Sequence, residues 1–219
     1  MRVVSVNVGL PREVEWRGRT VLTGIFKAPV AGAVRVAGVN LDGDGQADLE
    51  VHGGPDKAVY AYAAEHYPWW EDELGKPLPW GAFGENLTVE GVPLEDELAL
   101  GDRLLVGSAE LVVVQPRLPC FKLGIRFGDP TMTRRFEASG RSGFYLRILR
   151  EGEVAAGDAI ELVRHPLGIP VSELGRLYLQ DRHDADGMRR VLELDVLPQP
   201  WRSTLEERLR EQLDEGRRT

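Results

Sequence analysis

Cysteine is almost absent: Cys120 is the only one in 219 residues. An intramolecular disulfide is therefore impossible, and so is a Cys-rich zinc or iron–sulfur site. Lysine is nearly as scarce, at Lys27, Lys57, Lys76 and Lys122, with arginine supplying the other cations. There is no basic excess either, since 35 acidic residues against 27 basic ones give a net charge of -8. That balance argues against a polymeric nucleic-acid partner. No apolar run approaches the ~20 residues that cross a bilayer, so no membrane role is expected. The N-terminus alternates like a strand and lacks a signal peptide's apolar stretch. With no disulfide pair, these features set the expected location as cytoplasmic.

What is present is mostly strand and turn. Val3–Val8, Gly24–Pro29, Ala33–Leu41, Leu98–Leu100, Arg103–Val106, Glu110–Gln115, Phe144–Leu149 and Ala159–Val163 read as short β segments. Gly101-Asp102 and Gly157-Asp158 repeat one turn before a hydrophobic strand. Many short strands at regular spacing predict a barrel or sandwich. Asp56 is expected to cap a helix over Lys57–Tyr67, and Pro130–Ala138 to form a shorter one. After His165-Pro166 the pattern turns helical, with starts at Ser172, at Asp186 or Gly187, and at the capping box Ser203-Thr204-Leu205-Glu206. The expected organisation is a β domain over 1–165 and a three-helix subdomain over 166–219.

Four clusters carry chemistry. In His52-Gly53-Gly54-Pro55-Asp56-Lys57, the glycines let backbone N–H groups approach an anion, and Lys57 adds charge. A tight strand-to-helix turn with a structural histidine explains the same residues. The preceding Asp42–Asp48 resembles a calcium loop, but Ala47 and Gly53 stand where the loop glycine and the bidentate acid belong, so it reads as a polar turn. In Gly81-Ala82-Phe83-Gly84-Glu85-Asn86, glycines bracket an aromatic residue before a carboxylate and an amide, which suits a ligand loop or a barrel corner. In Gln115-Pro116-Arg117-Leu118-Pro119-Cys120-Phe121-Lys122, prolines stiffen the chain around the thiol, and Arg117, Lys122 and Arg126 favour thiolate. Cys120 is thus a nucleophile, a cofactor ligand or a small buried hydrophobe. In Ser139–Arg147, Arg141 and Arg147 are either anion contacts or surface charges. Tyr67-Pro68-Trp69-Trp70 reads as a hydrophobic anchor, in the core or at a dimer contact.

Taken in order, His52-Gly53-Gly54, Phe83-Gly84-Glu85-Asn86 and Pro116-Arg117-Leu118-Pro119-Cys120 resemble the MOSC family, the molybdenum-cofactor sulfurase C-terminal-type domains. The similarity covers most of residues 1–165. The helical tail resembles that of the stand-alone bacterial YiiM-like subgroup. The resemblance implies a fold that is mainly β with helices: a MOSC-like β-barrel followed by a small three-helix appendage. It implies molybdenum cofactor (molybdopterin) as the cofactor, with Cys120 on the metal or handling sulfur. Gly53, Gly54, Lys57, Asn86, Arg117, Lys122 and Arg141 are then the expected cofactor contacts, and His52 or Glu85 the proton carrier. The implied reaction is reduction of N-hydroxylated small molecules of the 6-hydroxylaminopurine type. The chain has no flavin or iron–sulfur motif, so an external reductase is the expected electron donor. Two further readings remain: a sulfur carrier or cofactor-delivery protein using a Cys120 persulfide, and a non-catalytic barrel binding a small anion. Homodimer formation is left open.

Overall fold

The computed structural model describes residues 1–47 and 53–216. Its strands are β1 (Arg2–Val8), β2 (Arg12–Trp16), β3 (Arg19–Thr23), β4 (Ala28–Pro29), β5 (Val34–Ala37), β6 (Asn40–Leu41), β7 (Val59–Ala63), β8 (Leu87–Glu90), β9 (Arg103–Val106), β10 (Ala109–Pro116), β11 (Phe144–Arg150), β12 (Gly152–Val154) and β13 (Ile160–Val163). Its helices are α1 (Tyr67–Leu74), α2 (Lys122–Phe127), α3 (Met132–Ser139), α4 (Val171–Leu179), α5 (Ala185–Leu192) and α6 (Gln199–Gly216). The mainly-β class with helices is the observed one. Among the described residues, no helix is long and apolar enough to cross a membrane.

The main sheet runs β13-β9-β10-β11-β7-β8-β1-β4. It is not a barrel closed by a continuous ladder, as the sequence led us to expect. Its ends are nonetheless drawn together. Arg2 and Ala159 form an isolated antiparallel bridge. Val3 N–H donates to Asp158 C=O at 2.9 Å, and Ile160 N–H donates to Met1 C=O at 3.0 Å. The sheet curls because each strand twists on its neighbour, and irregularities in the β1–β8 and β10–β11 registers tighten the bend.

The helix expected over Lys57–Tyr67 is a strand. Pro55–Lys57 makes one 3-10 turn, then β7 runs antiparallel to β11 and parallel to β8. All five residues of β7 are buried. A strand covered on both faces has no alternation, so Val59, Tyr60, Ala63 and Tyr67 imitate helical spacing. The hairpin of β2 and β3 was not expected either. Arg17 and Gly18 both have positive φ, at 53° and 75°, which gives a turn suited to a two-residue hairpin without the usual Asn-Gly signal. Leu98–Leu100 is a turn, with only Ala99 bridging to Pro170, and within Gly24–Pro29 only Ala28–Pro29 pairs.

α4, α5 and α6 bury Leu174, Leu177, Met188, Val191, Trp201 and Leu205 in the same core as the sheet residues Val3, Val36, Leu111 and Val113. Sheet and tail therefore share one apolar interior. A second cluster is aromatic, with Tyr60, Tyr62, Tyr67, Trp70, Phe83 and Phe136 at its centre. Trp70 belongs to this core and donates from Nε1 to the Tyr62 hydroxyl at 2.7 Å, whereas Trp69 is exposed.

Beside it lies a buried histidine–carboxylate contact. His66 Nε2 sits 3.0 Å from both Glu95 oxygens, and Gly143 N–H donates to Oε1 at 2.6 Å. Burial pushes the Glu95 carboxyl up, but the His66 bond and charge outweigh it and hold the pKa below 4.5. A carboxylate with a depressed folded pKa stabilises above its unfolded pKa and loses that contribution as pH falls through the folded value. Urea denaturation of wild type and Glu95→Gln should therefore show a stability gap that is widest above pH 4.5 and shrinks below it. A gap independent of pH would rule out this linkage.

Candidate functional site

Cys120 lies in the short connection between β10 and α2. Its carbonyl accepts from Leu123 N–H at 3.0 Å and from the Thr133 hydroxyl at 3.2 Å, which anchors the connection to α2 and α3. Pro116 and Pro119 present no N–H that would need a partner, so the chain can leave the sheet there without an orphaned donor. The partly buried thiol faces a cleft with about 670 Å³ of empty space, its open mouth included.

Among the described residues, Lys27, Lys57, Arg117 and Lys122 line this cleft together with one acid, Asp44. Arg117 is buried, its guanidinium 4.9 Å from the Tyr60 ring centroid and 5.4 Å from that of Phe136. Burial works against its charge, but Tyr60, Tyr145 and Cys120 outweigh that and hold its pKa above the ordinary arginine value. Among the described residues, Arg117 Nη1 is buried without a hydrogen-bond partner, as is Asn40 Oδ1, which lines the same cleft. Unpaired buried polar atoms are costly, so two in one cleft mark a place for a polar ligand.

The floor is a hydrogen-bonded frame. Asn86 Oδ1 accepts from Tyr60 N–H at 3.0 Å, and its Nδ2 donates to Asp44 Oδ2 at 2.8 Å. The Asn86 carbonyl accepts from Asn7 N–H at 2.7 Å. Asn86 thus ties β7, β1 and the 42–47 turn together. Asp44 also accepts from Gly9 N–H at 3.0 Å and pairs with the Lys27 ammonium. Both of those side chains are nearly inaccessible, at 8% and 3% exposure, so the pair is part of the frame and not a solvated turn. Burial lowers the Lys27 pKa, and Asp44 opposes that shift.

Glu85 stands behind this floor. It is fully buried and accepts from the Tyr67 hydroxyl, from Gly81 N–H at 2.9 Å, from Phe83 N–H at 3.1 Å and from the Thr88 hydroxyl at 3.0 Å. Burial raises its pKa, and these donors oppose the rise. It does not line the cleft. Its geometry serves the 81–85 loop, where Gly84 at φ 81° lies so close to Ile25 that a Cβ would come within 2.9 Å of it. This position differs from the proton-carrying one expected from sequence, because the carboxylate is fully buried behind the floor, where the Tyr67, Gly81, Phe83 and Thr88 donors hold it.

The structure brings Lys57, Asn86, Arg117, Cys120 and Lys122 to one cleft. Gly53 and Gly54 do not line it; Gly54 N–H donates to Gln46 Oε1 at 2.9 Å. Arg141 lies elsewhere, 4.2 Å over the Trp69 ring and bonded to Ser139 C=O. Arg147 pairs with Asp56 and donates to Val196 C=O at 3.0 Å, so it ties the tail to the sheet. His52 falls outside the described residues. Sequence reasoning missed Lys27, Asn40, Asp44, Tyr60 and Tyr145. The scarcity of lysine was the one signal at Lys27, and the partnership with Asp44 exists only after folding.

A protein-family model described as "MOSC domain" matches residues 48–161, and one described as "YiiM-like, 3-alpha helix domain" matches residues 169–212. The Bacillus subtilis (strain 168) "Uncharacterized protein YflK" is 43% identical over 203 residues, covering 92% of this chain and 91% of that protein. "Protein YiiM" of Escherichia coli (strain K12) is 32% identical over 189 residues, covering 85% and 84%. A Gibberella moniliformis (strain M3125 / FGSC 7600) "Reductase" is 35% identical over 154 residues, 68% of this chain but only 27% of that protein. Among solved structures, YiiM from Geobacillus stearothermophilus superposes with a TM-score of 0.78 at 35% identity, covering 95% of this chain and 98% of that one.

Proposed function

The chain belongs to the MOSC-domain family, in its YiiM-like branch with a three-helix tail, and from that premise we propose that it binds molybdenum cofactor in the Cys120 cleft and reduces N-hydroxylated small molecules. The observation that carries the reading is the pairing of a lone thiol with a cationic cleft holding two unpartnered buried polar atoms, Arg117 Nη1 and Asn40 Oδ1. These residues fit the group. Cys120 is the soft ligand for the metal. Lys57, Arg117 and Lys122 balance the anionic phosphate, and Lys27 with Asp44 keeps the floor rigid. When bound, the cofactor supplies a two-electron redox centre.

The overall change is R–NHOH + 2 e⁻ + 2 H⁺ → R–NH₂ + H₂O. The N–O bond breaks, the nitrogen is reduced, and the oxygen leaves as water. The electrons come from a separate reductase carrying a flavin or iron–sulfur group. A cytoplasmic setting suits a cysteine that must remain a thiol. Support for reduction, as opposed to sulfur carriage, comes from the partial match to a protein named a reductase.

The test is anaerobic purification from cells co-expressing the cofactor pathway, with metal content and 6-hydroxylaminopurine reduction measured on one sample. About one molybdenum per chain together with turnover is the expected result. A metal-free chain carrying a Cys120 persulfide by mass spectrometry would overturn it in favour of a sulfur carrier.

A further inference from the structure

The arginines of this chain fall into two sets. On the sheet and the tail, exposed guanidinium groups are neutralised: Arg2 by Glu90, Arg35 by Glu151, Arg103 by Glu110 and Arg189 by Asp186. Arg12, Arg17, Arg19 and Arg126 have no carboxylate within ion-pair distance among the described residues. All of these lie on the β2–β3 hairpin or on α2. In a chain of net charge -8, unpaired cations gathered on two elements are a local reversal of sign.

Those two elements frame the Cys120 cleft. β3 ends at Thr23, and Thr23, Gly24 and Ile25 line the cleft on one side, while Lys122 at the start of α2 lines it on the other. The hairpin lies against α2, where a Cβ on Gly124 would come 3.5 Å from the Trp16 ring. Arg12 and Arg126 share the Phe26 ring, at 3.9 and 5.4 Å from its centroid. Burial lowers the Arg126 pKa; Glu85 opposes the shift and Arg12 adds to it. Arg126 Nε is also buried without a hydrogen-bond partner among the described residues. An anionic group set between these arginines relieves both their repulsion and that orphaned donor. Glu13 and Glu15 do not supply it, because along β2 they alternate onto the face opposite Arg12, Val14 and Trp16. Phe121, next to Cys120 in the chain, is 52% exposed. An exposed aromatic beside unpaired cations has the make-up of a protein-binding surface, with an apolar centre and a charged rim.

We propose that the β2–β3 hairpin and α2 form the docking face for the electron donor, and that the donor is a protein whose redox group lies in an acidic surface. Charge complementarity selects this occupant: carboxylates of the partner meet Arg12, Arg17, Arg19 and Arg126, while Phe121 packs at the centre next to the thiol. The partner's role as electron donor rests on the reductase reading; the cationic face does not. Two reduced donors, docking in turn, give up one electron each. The N–OH group takes both electrons with two protons from solvent, its N–O bond breaks, and water leaves. Because the rest of the chain is acidic, it repels the same partner and steers it to this face.

The test uses the cofactor-loaded full chain with reduced flavodoxin and reduced plant-type ferredoxin, both acidic proteins, as donors. Reduced methyl viologen serves as a donor too small to need a docking face. Arg12→Glu/Arg19→Glu reverses two charges of the face, and Arg17→Glu/Arg19→Glu does so at the hairpin tip while keeping the Arg12–Phe26 stack. Surface plasmon resonance gives donor binding independently of turnover. Wild type should bind at least one of the two proteins at low salt and release it as salt rises. Both variants should weaken that binding and raise the KM for the donor by about tenfold. Turnover of 6-hydroxylaminopurine with methyl viologen should stay within about twofold of wild type. Unchanged donor binding and KM in both variants would overturn the proposal, as would a wild type that binds neither protein. Should one variant fail to fold, the other decides. If wild type binds a donor but reduces no hydroxylamine even with methyl viologen, the reductase reading fails and the binding data still decide the face.

Discussion

Glu85→Ala is expected to lower the stability of the chain by about 3–5 kcal/mol and its Tm by roughly 6–20 °C. The carboxylate is fully buried and accepts from Tyr67, Gly81, Phe83 and Thr88. Alanine would leave the Gly81 and Phe83 N–H groups without an acceptor at a site water does not reach, and would open a void among the aromatic side chains. Glu85→Gln is the milder control. Oε1 takes three of the donors and Oε2 takes the Phe83 N–H. An amide can keep its oxygen on the three-donor side, but its NH₂ then faces another N–H, a cost of about 1–3 kcal/mol. Calorimetry on the three proteins checks the order wild type, Gln, Ala. A Glu85→Ala protein melting with wild type would show that the loop does not depend on this carboxylate.

Cys120→Ala should reduce N-hydroxy turnover at least about 100-fold, since even outer partners of metal ligands typically cost 10–100-fold. Molybdenum content should fall with it. The fold should not, because the hydrogen bonds that anchor this segment run to the Cys120 carbonyl, which alanine keeps. Circular dichroism and metal analysis on the same preparation separate a lost ligand from a lost fold. Wild-type turnover in this variant would falsify the assignment of Cys120 as the metal ligand.

The motif segments around Cys120 and Asn86 were legible in the sequence because their chemistry is local. Pro116, Pro119, Arg117 and Lys122 surround the thiol within a few residues. The tail helices were legible because α4 buries Val171, Leu174 and Leu177 at helical spacing. Their starts moved slightly: Asp184 caps α5 through Gly187 N–H, and α6 begins at Gln199. β7 was misread because a strand buried on both faces has no period to read. That Glu85 stands behind the cleft floor and not on its lining was not legible, because neighbourhood in sequence does not say which side of a loop faces solvent.

The sequence by itself determined the constraints of composition: one thiol, no disulfide, a mainly β chain with a helical tail, and a cationic segment around Cys120. Those follow from residue types and short-range spacing. Only the tertiary structure decided which charges meet that thiol. Lys27 and Asp44 are 17 positions apart and become a buried pair only when the 42–47 turn packs beside the 24–27 segment. Trp201 reaches Gln115 across 86 positions because α6 packs on the sheet core. Pairings of that range are set by the burial of many apolar side chains at once, and no local pattern records them.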